Sequence, residues 1–141
     1  MCMTDDLFGL VKELNLPPGD FAIFGSGPLI VRNIVPFKND LDIICRNKAW
    51  ETVQQIGQPQ YLQDYDANIV SIADGAVTFG TTWGIGQFDI NTLIDSAEIL
   101  QGLPFVKLQY VIEYKRIRGL PKDLSHIEAA RKAGLLEATQ V

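Results

Sequence analysis

The spacing of apolar residues predicts a first helix near the start of the chain. Thr4, followed by two aspartates, has the character of a helix N-cap with an acidic first turn. Apolar side chains then recur at helical spacing, at Leu7, Leu10, Val11 and Leu14. The run Pro17-Pro18-Gly19 ends this helix.

Two short apolar runs bounded by turn residues are predicted to be buried strands, Phe21 to Phe24 and Leu41 to Cys45. A helix is expected between them from Pro28 to about Ile34, because proline suits the first helical position. Another helix is predicted from Lys48 to Ile56. The first part of the chain therefore alternates between helices and strands.

The middle of the chain is predicted to be a meander. Asp74-Gly75 favours a two-residue hairpin turn between strands at Ile69 to Ala73 and Ala76 to Phe79. Apolar and polar residues largely alternate from Gln87 to Leu93, and this period of two predicts a further strand. The last third is predicted to be helical, from Phe105 to Arg118 and from Asp123 to Ala133, with Gly134 as the stop.

The length and composition of the chain are those of a single domain that can bury a hydrophobic core. The 141 residues are 47% hydrophobic, and we expect a single α/β (α+β) domain with a mixed β-sheet flanked by helices. Its core is expected at about residues 4 to 95, with C-terminal helices at about 105 to 134. A net charge of −5 disfavours nucleic acid as a partner. The sequence has no apolar run of membrane-spanning length, and we expect reduced cysteines and a cytoplasmic location.

The triplet Asp40-Leu41-Asp42 opens the second predicted strand. Residues two apart on a strand share a face, so Asp40 and Asp42 project together while Leu41 points to the other side. Two close carboxylates repel each other unless a proton or a cation compensates, and Mg²⁺ prefers carboxylate oxygens. The pair therefore indicates a metal site. The simpler alternative is a strand start at which Asp40 caps a turn and both acids face water.

The turn Gly25-Ser26-Gly27 follows the first predicted strand. Glycine allows a phosphate to approach the backbone, a helix N-terminus offers free N–H groups, and Ser26 adds a hydroxyl. If the two strands are neighbours, phosphate donors and metal-binding acids meet. Taken alone, this sequence is more often only a tight turn.

Asp89 is a candidate third acid on the strand predicted from Gln87 to Leu93. Pairing of neighbouring strands could bring it beside Asp40 and Asp42, and three carboxylates suit two-metal catalysis. An ordinary exposed strand residue is an equally good interpretation.

Lys115 is predicted to lie in the middle of an apolar helical stripe that Leu108, Val111 and Ile112 form. A cation there needs a partner, and its ammonium could reach a triphosphate or extend to water.

The other polar residues of this region are weaker candidates. Lys122 is a second candidate for triphosphate binding, while Arg116 and Arg118 project to the edges of the stripe and are expected to be solvated. Asp123 is interpreted as a helix N-cap and His126 as a structural or surface residue.

These features together resemble the nucleotidyltransferase superfamily related to DNA polymerase beta, especially its small stand-alone and antibiotic- or toxin-type members. The resemblance covers most of the chain. It rests on Gly25-Ser26, on Asp40-Leu41-Asp42, on Asp89 and on the segment VIEYKRIRGLPKDLSHIEAA, residues 111 to 130. Two features depart from the family pattern: the 13 residues between Ser26 and Asp40 are many for a compact member, and His126 replaces a frequent acid.

The resemblance implies Mg²⁺-dependent (or Mn²⁺-dependent) transfer of a nucleoside monophosphate from ATP or a related triphosphate to a hydroxyl, with release of pyrophosphate. Gly25, Ser26, Lys115 and Lys122 would bind the triphosphate. Asp40 and Asp42 would bind metal, and Asp89 would be a metal ligand or the base for the acceptor. The acceptor stays open among a small molecule held by a homodimer, a partner protein and an RNA end. The alternative function is a catalytically idle nucleotide-binding or interaction module, such as a toxin-antitoxin component.

Overall fold

The computed structural model describes residues 3–36, 40–63, 67–81 and 89–135. Over these residues, seven strands form one mixed sheet in the order β3-β4-β5-β2-β1-β7-β6. The strands are β1 Phe21–Phe24, β2 Leu41–Cys45, β3 Gln58–Leu62, β4 Ala67–Ile72, β5 Val77–Gly80, β6 Glu98–Leu100 and β7 Leu103–Phe105. The helices are α1 Met3–Glu13, α2 Gly27–Ile30, α3 Asn47–Ile56, α4 Ile90–Asp95, α5 Leu108–Arg118 and α6 Pro121–Lys132. The predicted α/β class with a mixed sheet and flanking helices is confirmed.

The centre of the sheet is built from the two strands that the apolar runs predicted. β1 and β2 pair antiparallel, with Phe24 opposite Asp42. β2 pairs parallel with β5 on its other side, where Thr78 lies opposite Asp42. Because an antiparallel pair brings the end of one strand to the start of the other, the turn after β1 meets the acids that open β2.

The two faces of the sheet pack against different groups of helices. Ile23, Leu41 and Ile43 belong to the larger hydrophobic core, which includes residues of α1, α3 and α6. Phe24 and Ile44 belong to a second core that Leu93 of α4 and Tyr114 of α5 complete. Since side chains two apart on a strand share a face, Asp42 opens the same face as Ile44.

Several predicted boundaries were wrong. α2 is one turn of helix that ends at Ile30, so the predicted helix to Ile34 is shorter. The predicted hairpin of β4 and β5 is confirmed, but Ala73, Asp74 and Gly75 all have positive φ, so its connection is longer than two residues. Phe105 belongs to a strand rather than to a helix.

Two features escaped prediction because their sequences carry little periodicity. β3 is a largely exposed strand at the edge of the sheet, so selection for an apolar face is weak there. The strands β6 and β7 are three residues each and pair across a turn at Gln101-Gly102. In the described part of the chain, no helix is both long and apolar enough to cross a membrane.

Candidate functional site

A small cleft lies where the end of β1 meets the start of β2. The residues that line it are Phe24, Gly25, Ser26, Asp40, Asp42, Tyr114, Lys115, Arg118 and Lys122. The structure thus brings together the predicted phosphate-binding turn, the predicted acid pair and both predicted lysines. Asp89 is the one predicted site residue outside this set.

Gly25 is the residue that allows the turn to press against the acids. Its φ is +61°, a conformation that favours glycine, and a Cβ built on it would lie 2.9 Å from Asp42 Oδ2. Both the backbone conformation and the nearby carboxylate therefore favour glycine at this position.

The two acids of the cleft differ in environment. Asp40 is exposed, while Asp42 is partly buried on the face that it shares with Ile44. Burial, with a smaller contribution from the charge of Asp40, raises the pKa of Asp42 to about 6, although Arg118, Lys122 and Lys115 oppose this change. The nearby positive charges of the described residues therefore do not fully offset the cost of burying the ionised Asp42 carboxylate. A bound cation would offset that cost.

Lys115 is fully buried, which decides between the two alternatives that its position in the apolar stripe left open. Its Nζ donates a hydrogen bond to Ser26 Oγ at 3.2 Å and lies 3.6 Å from Asp123 Oδ1. Burial lowers the pKa of Lys115 to about 8, against the opposing charge of Asp123. The ammonium therefore points to the turn at Gly25-Ser26 and does not extend to water.

Arg118 is held in the cleft by Asp123, contrary to the expectation that it is solvated. Its Nε and Nη2 atoms donate to Oδ2 and Oδ1 of Asp123 at 2.7 and 2.6 Å. The guanidinium also lies 5.1 Å from the centroid of the Tyr114 ring. This bidentate geometry fixes a planar cation at the wall of the cleft.

Asp123 is fully buried and stabilises the start of α6 from inside the helix. Its Oδ2 accepts a hydrogen bond from the backbone N–H of Leu120 at 3.1 Å, so Leu120 and not Asp123 is the N-cap residue. Burial alone would raise the pKa of Asp123, but the hydrogen bonds and charge of Arg118, with the Leu120 N–H and Lys115, lower it. Asp123 is therefore the anion that positions both cations.

His126 also belongs to this region, although the sequence indicated only a structural or surface role. Its Nδ1 lies 3.4 Å from Ser26 Oγ, at hydrogen-bond distance. The contact joins residues 100 positions apart. It depends on how α6 packs against the turn after β1, so no local sequence pattern could have indicated it.

The prediction that Asp89 lies on a strand was wrong. Asp89 is the N-cap of α4, and its side chain accepts hydrogen bonds from Asn91 N and Thr92 Oγ1, both at 3.1 Å. Asn91 in turn accepts from Arg46, which follows the far end of β2. Asp89 therefore caps a helix, and residues 87 and 88 of the predicted strand lie outside the described part of the chain.

The neighbouring strands do not supply a third carboxylate to Asp42. The residues opposite it are Phe24 on β1 and Thr78 on β5. Among the described residues, no group of three or more histidine, cysteine, aspartate or glutamate side chains could hold a metal ion. Asp42 at the start of β2 and Asp40 just before it are therefore the carboxylates that this cleft offers to a cation.

The donor set of the cleft fits a hard divalent cation bound together with an anion. Carboxylate oxygens are ligands of the type that Mg²⁺ takes, and Mg²⁺ commonly completes its coordination with water and substrate phosphates. Lys115, Arg118 and Lys122 surround the same space with positive charge. Asp40 and Asp42 would hold the metal, and the three cations would hold its anionic ligand. Comparison of the chain with protein-family models, curated proteins and solved structures finds no match.

Proposed function

We propose that the cleft binds a nucleoside triphosphate with Mg²⁺ or Mn²⁺ and that the protein is a nucleotidyltransferase. The observation that carries the proposal is the meeting of Gly25-Ser26 with Asp40 and Asp42 where β1 ends and β2 begins, beside the buried Lys115. Mg²⁺ is usually bound by one or two carboxylates together with substrate phosphates, so hydrogen-bond donors for phosphate are expected beside the metal-binding acids. Their convergence from three separate segments favours a functional site over a tight turn and a solvated strand start.

The roles of the residues follow from their positions. Ser26, Lys115, Arg118 and Lys122 bind and orient the phosphates, and Asp40 and Asp42 hold the cation. The cation supplies charge neutralisation of the phosphates during transfer to an acceptor hydroxyl. Asp123 positions Lys115 and Arg118 without facing the ligand. A cytoplasmic location, ATP as a donor, and an acceptor that a second copy or a partner protein helps to bind are parts of this proposal.

A second candidate function is a nucleotide-binding module without transfer activity. The position of Thr78 opposite Asp42 favours it, because a residue of the neighbouring strand that could have supplied a third acid supplies a hydroxyl instead. A cleft with two acids can hold one metal with a triphosphate. It has less capacity to activate an acceptor hydroxyl with a second metal.

Release of pyrophosphate separates the two candidates. The protein is incubated with each common nucleoside triphosphate, with and without Mg²⁺, in the presence of small-molecule, RNA and protein acceptors. A nucleotidyltransferase releases pyrophosphate only with metal, and Asp42→Asn abolishes the release. Tight metal-dependent binding of triphosphate with no pyrophosphate in any combination would favour the idle module.

A further inference from the structure

The hydroxyl of Ser26 does not cap the helix that it precedes, although a serine at a helix start normally does so. Ser26 occupies the N-cap position of α2, yet its side chain makes no capping hydrogen bond with the backbone of that helix. Its Oγ instead lies between Lys115 Nζ at 3.2 Å and His126 Nδ1 at 3.4 Å. The Ser26 hydroxyl therefore contacts Lys115 of α5 and His126 of α6 instead of the helix backbone.

The hydrogen-bonding capacity of these groups limits what Ser26 can offer a ligand. A serine hydroxyl has one proton to donate and two lone pairs to accept with. The Lys115 ammonium has only donors, so it occupies one lone pair of Ser26. The imidazole can either accept the serine proton at Nδ1 or donate a proton from Nδ1 to the second lone pair. In the second arrangement, the serine proton is left for another acceptor.

We propose that His126 is a positioning residue of the phosphate-binding turn, which acts through Ser26. When an anion enters the cleft, Nδ1 of His126 donates to Ser26 Oγ, and both lone pairs of the hydroxyl are then occupied. The single serine proton is committed to a phosphate oxygen. The inference rests on the proposed function, since it assigns a role within the same cleft.

The test uses variants that place the hydrogen-bonding atom at different points. Asparagine in His126→Asn carries its amide close to the position of Nδ1, glutamine in His126→Gln extends it toward the position of Nε2, and leucine in His126→Leu has none. Binding of inorganic triphosphate with Mg²⁺ is measured by calorimetry for each folded variant. We expect His126→Asn to bind within about twofold of the wild type, and His126→Gln and His126→Leu to bind roughly five- to tenfold more weakly, as for loss of one hydrogen bond.

A double-mutant cycle tests whether His126 acts through Ser26. In a Ser26→Ala background, His126→Leu is expected to cause no further loss of affinity, because the hydroxyl that it positions is gone. Independent, additive losses would overturn the proposal, as would equal affinities of the Asn, Gln and Leu variants. If the wild type binds no triphosphate, the proposed function fails and the inference fails with it. Wild-type binding that no His126 variant changes would overturn the inference alone.

Discussion

Gly25 lies so close to Asp42 that a side chain at position 25 would displace the Asp42 carboxylate. A Cβ on Gly25 would lie 2.9 Å from Asp42 Oδ2, and the φ of +61° is itself unfavourable for other residues. The turn that is proposed to bind phosphate and the carboxylate that is proposed to bind metal are thus mechanically linked. A substitution at Gly25 is therefore expected to move the carboxylate of Asp42.

Gly25→Ala is predicted to lower both stability and ligand binding. Backbone strain and displacement of the Asp42 carboxylate should together cost about 1–3 kcal/mol of unfolding free energy, and binding of Mg²⁺-triphosphate should weaken. Gly75→Ala is the matched control, because Gly75 also has a positive φ, +88°, but has nothing within 4 Å of its Cβ position. Denaturant unfolding and calorimetry should show a stability loss for both variants and a binding loss only for Gly25→Ala.

Asp42→Asn is predicted to stabilise the metal-free protein at neutral pH. The pKa of Asp42 is raised from 3.8 to about 6, so the folded protein binds this proton more readily than the unfolded chain. The folded wild type is therefore most stable, as far as this group is concerned, below pH 3.8, where Asp42 is protonated in both states. Its unfolding free energy falls as the pH rises from 3.8 to about 6. Above that range the variant should gain up to about 3 kcal/mol, and near pH 3 it should gain almost nothing.

Denaturant unfolding of the wild type and Asp42→Asn across this pH range measures the difference. Asp40→Asn is the control, since Asp40 is exposed and its replacement should give a smaller gain. A gain for Asp42→Asn that is independent of pH would show that burial of the charge is not its cause.

Lys115→Met is predicted to fold and to bind triphosphate weakly. The substitution removes a buried charge whose pKa is already lowered to about 8, and Asp123 keeps its bidentate partner Arg118. Loss of a direct charge-assisted contact with phosphate should weaken binding on the order of tenfold or more. Arg116→Met, on an exposed residue of the same helix, should bind as the wild type does. Equal affinities of the two variants would remove Lys115 from the binding site.

Asp89→Ala is predicted to affect stability alone. Asp89 caps α4 through Asn91 N, so the variant should lose about 1 kcal/mol of unfolding free energy. Binding of Mg²⁺-triphosphate should be unchanged, because the side chain does not line the cleft. A large loss of affinity in calorimetry, with little loss of stability, would show that Asp89 takes part in ligand binding.

Local sequence patterns predicted the parts of this molecule that depend on local forces. β1 and β2 were predicted with the correct bounds because apolar runs with turn residues at both ends leave little choice. The place of Lys115 in an apolar helical stripe was predicted, whereas the sequence left open whether its ammonium is buried or extends to water. Asp89 was misplaced because a period of two over a few residues also occurs across a helix start, where an N-cap aspartate precedes apolar Ile90.

The partners of the site residues depend on long-range packing and could not be predicted in this way. The pairing of Arg118 with Asp123 spans only five residues, but it depends on the turn between α5 and α6, where Gly119 has a φ of +64°. The contact of His126 with Ser26 and the position of Thr78 opposite Asp42 are set by helix packing and strand order. Both are properties of the assembled fold and not of any single segment.

Calorimetric titration of a non-hydrolysable triphosphate into the wild type and Asp42→Asn, with and without Mg²⁺, tests the central claim most directly. Asp42 is proposed to hold the cation that accompanies the triphosphate, so binding should depend on both the metal and this carboxylate. We predict wild-type binding that is strong only with Mg²⁺, and at least roughly tenfold weaker binding by Asp42→Asn, as for loss of a contact with a charged ligand. No binding by the wild type, or equal binding by Asp42→Asn in the presence of Mg²⁺, would contradict it.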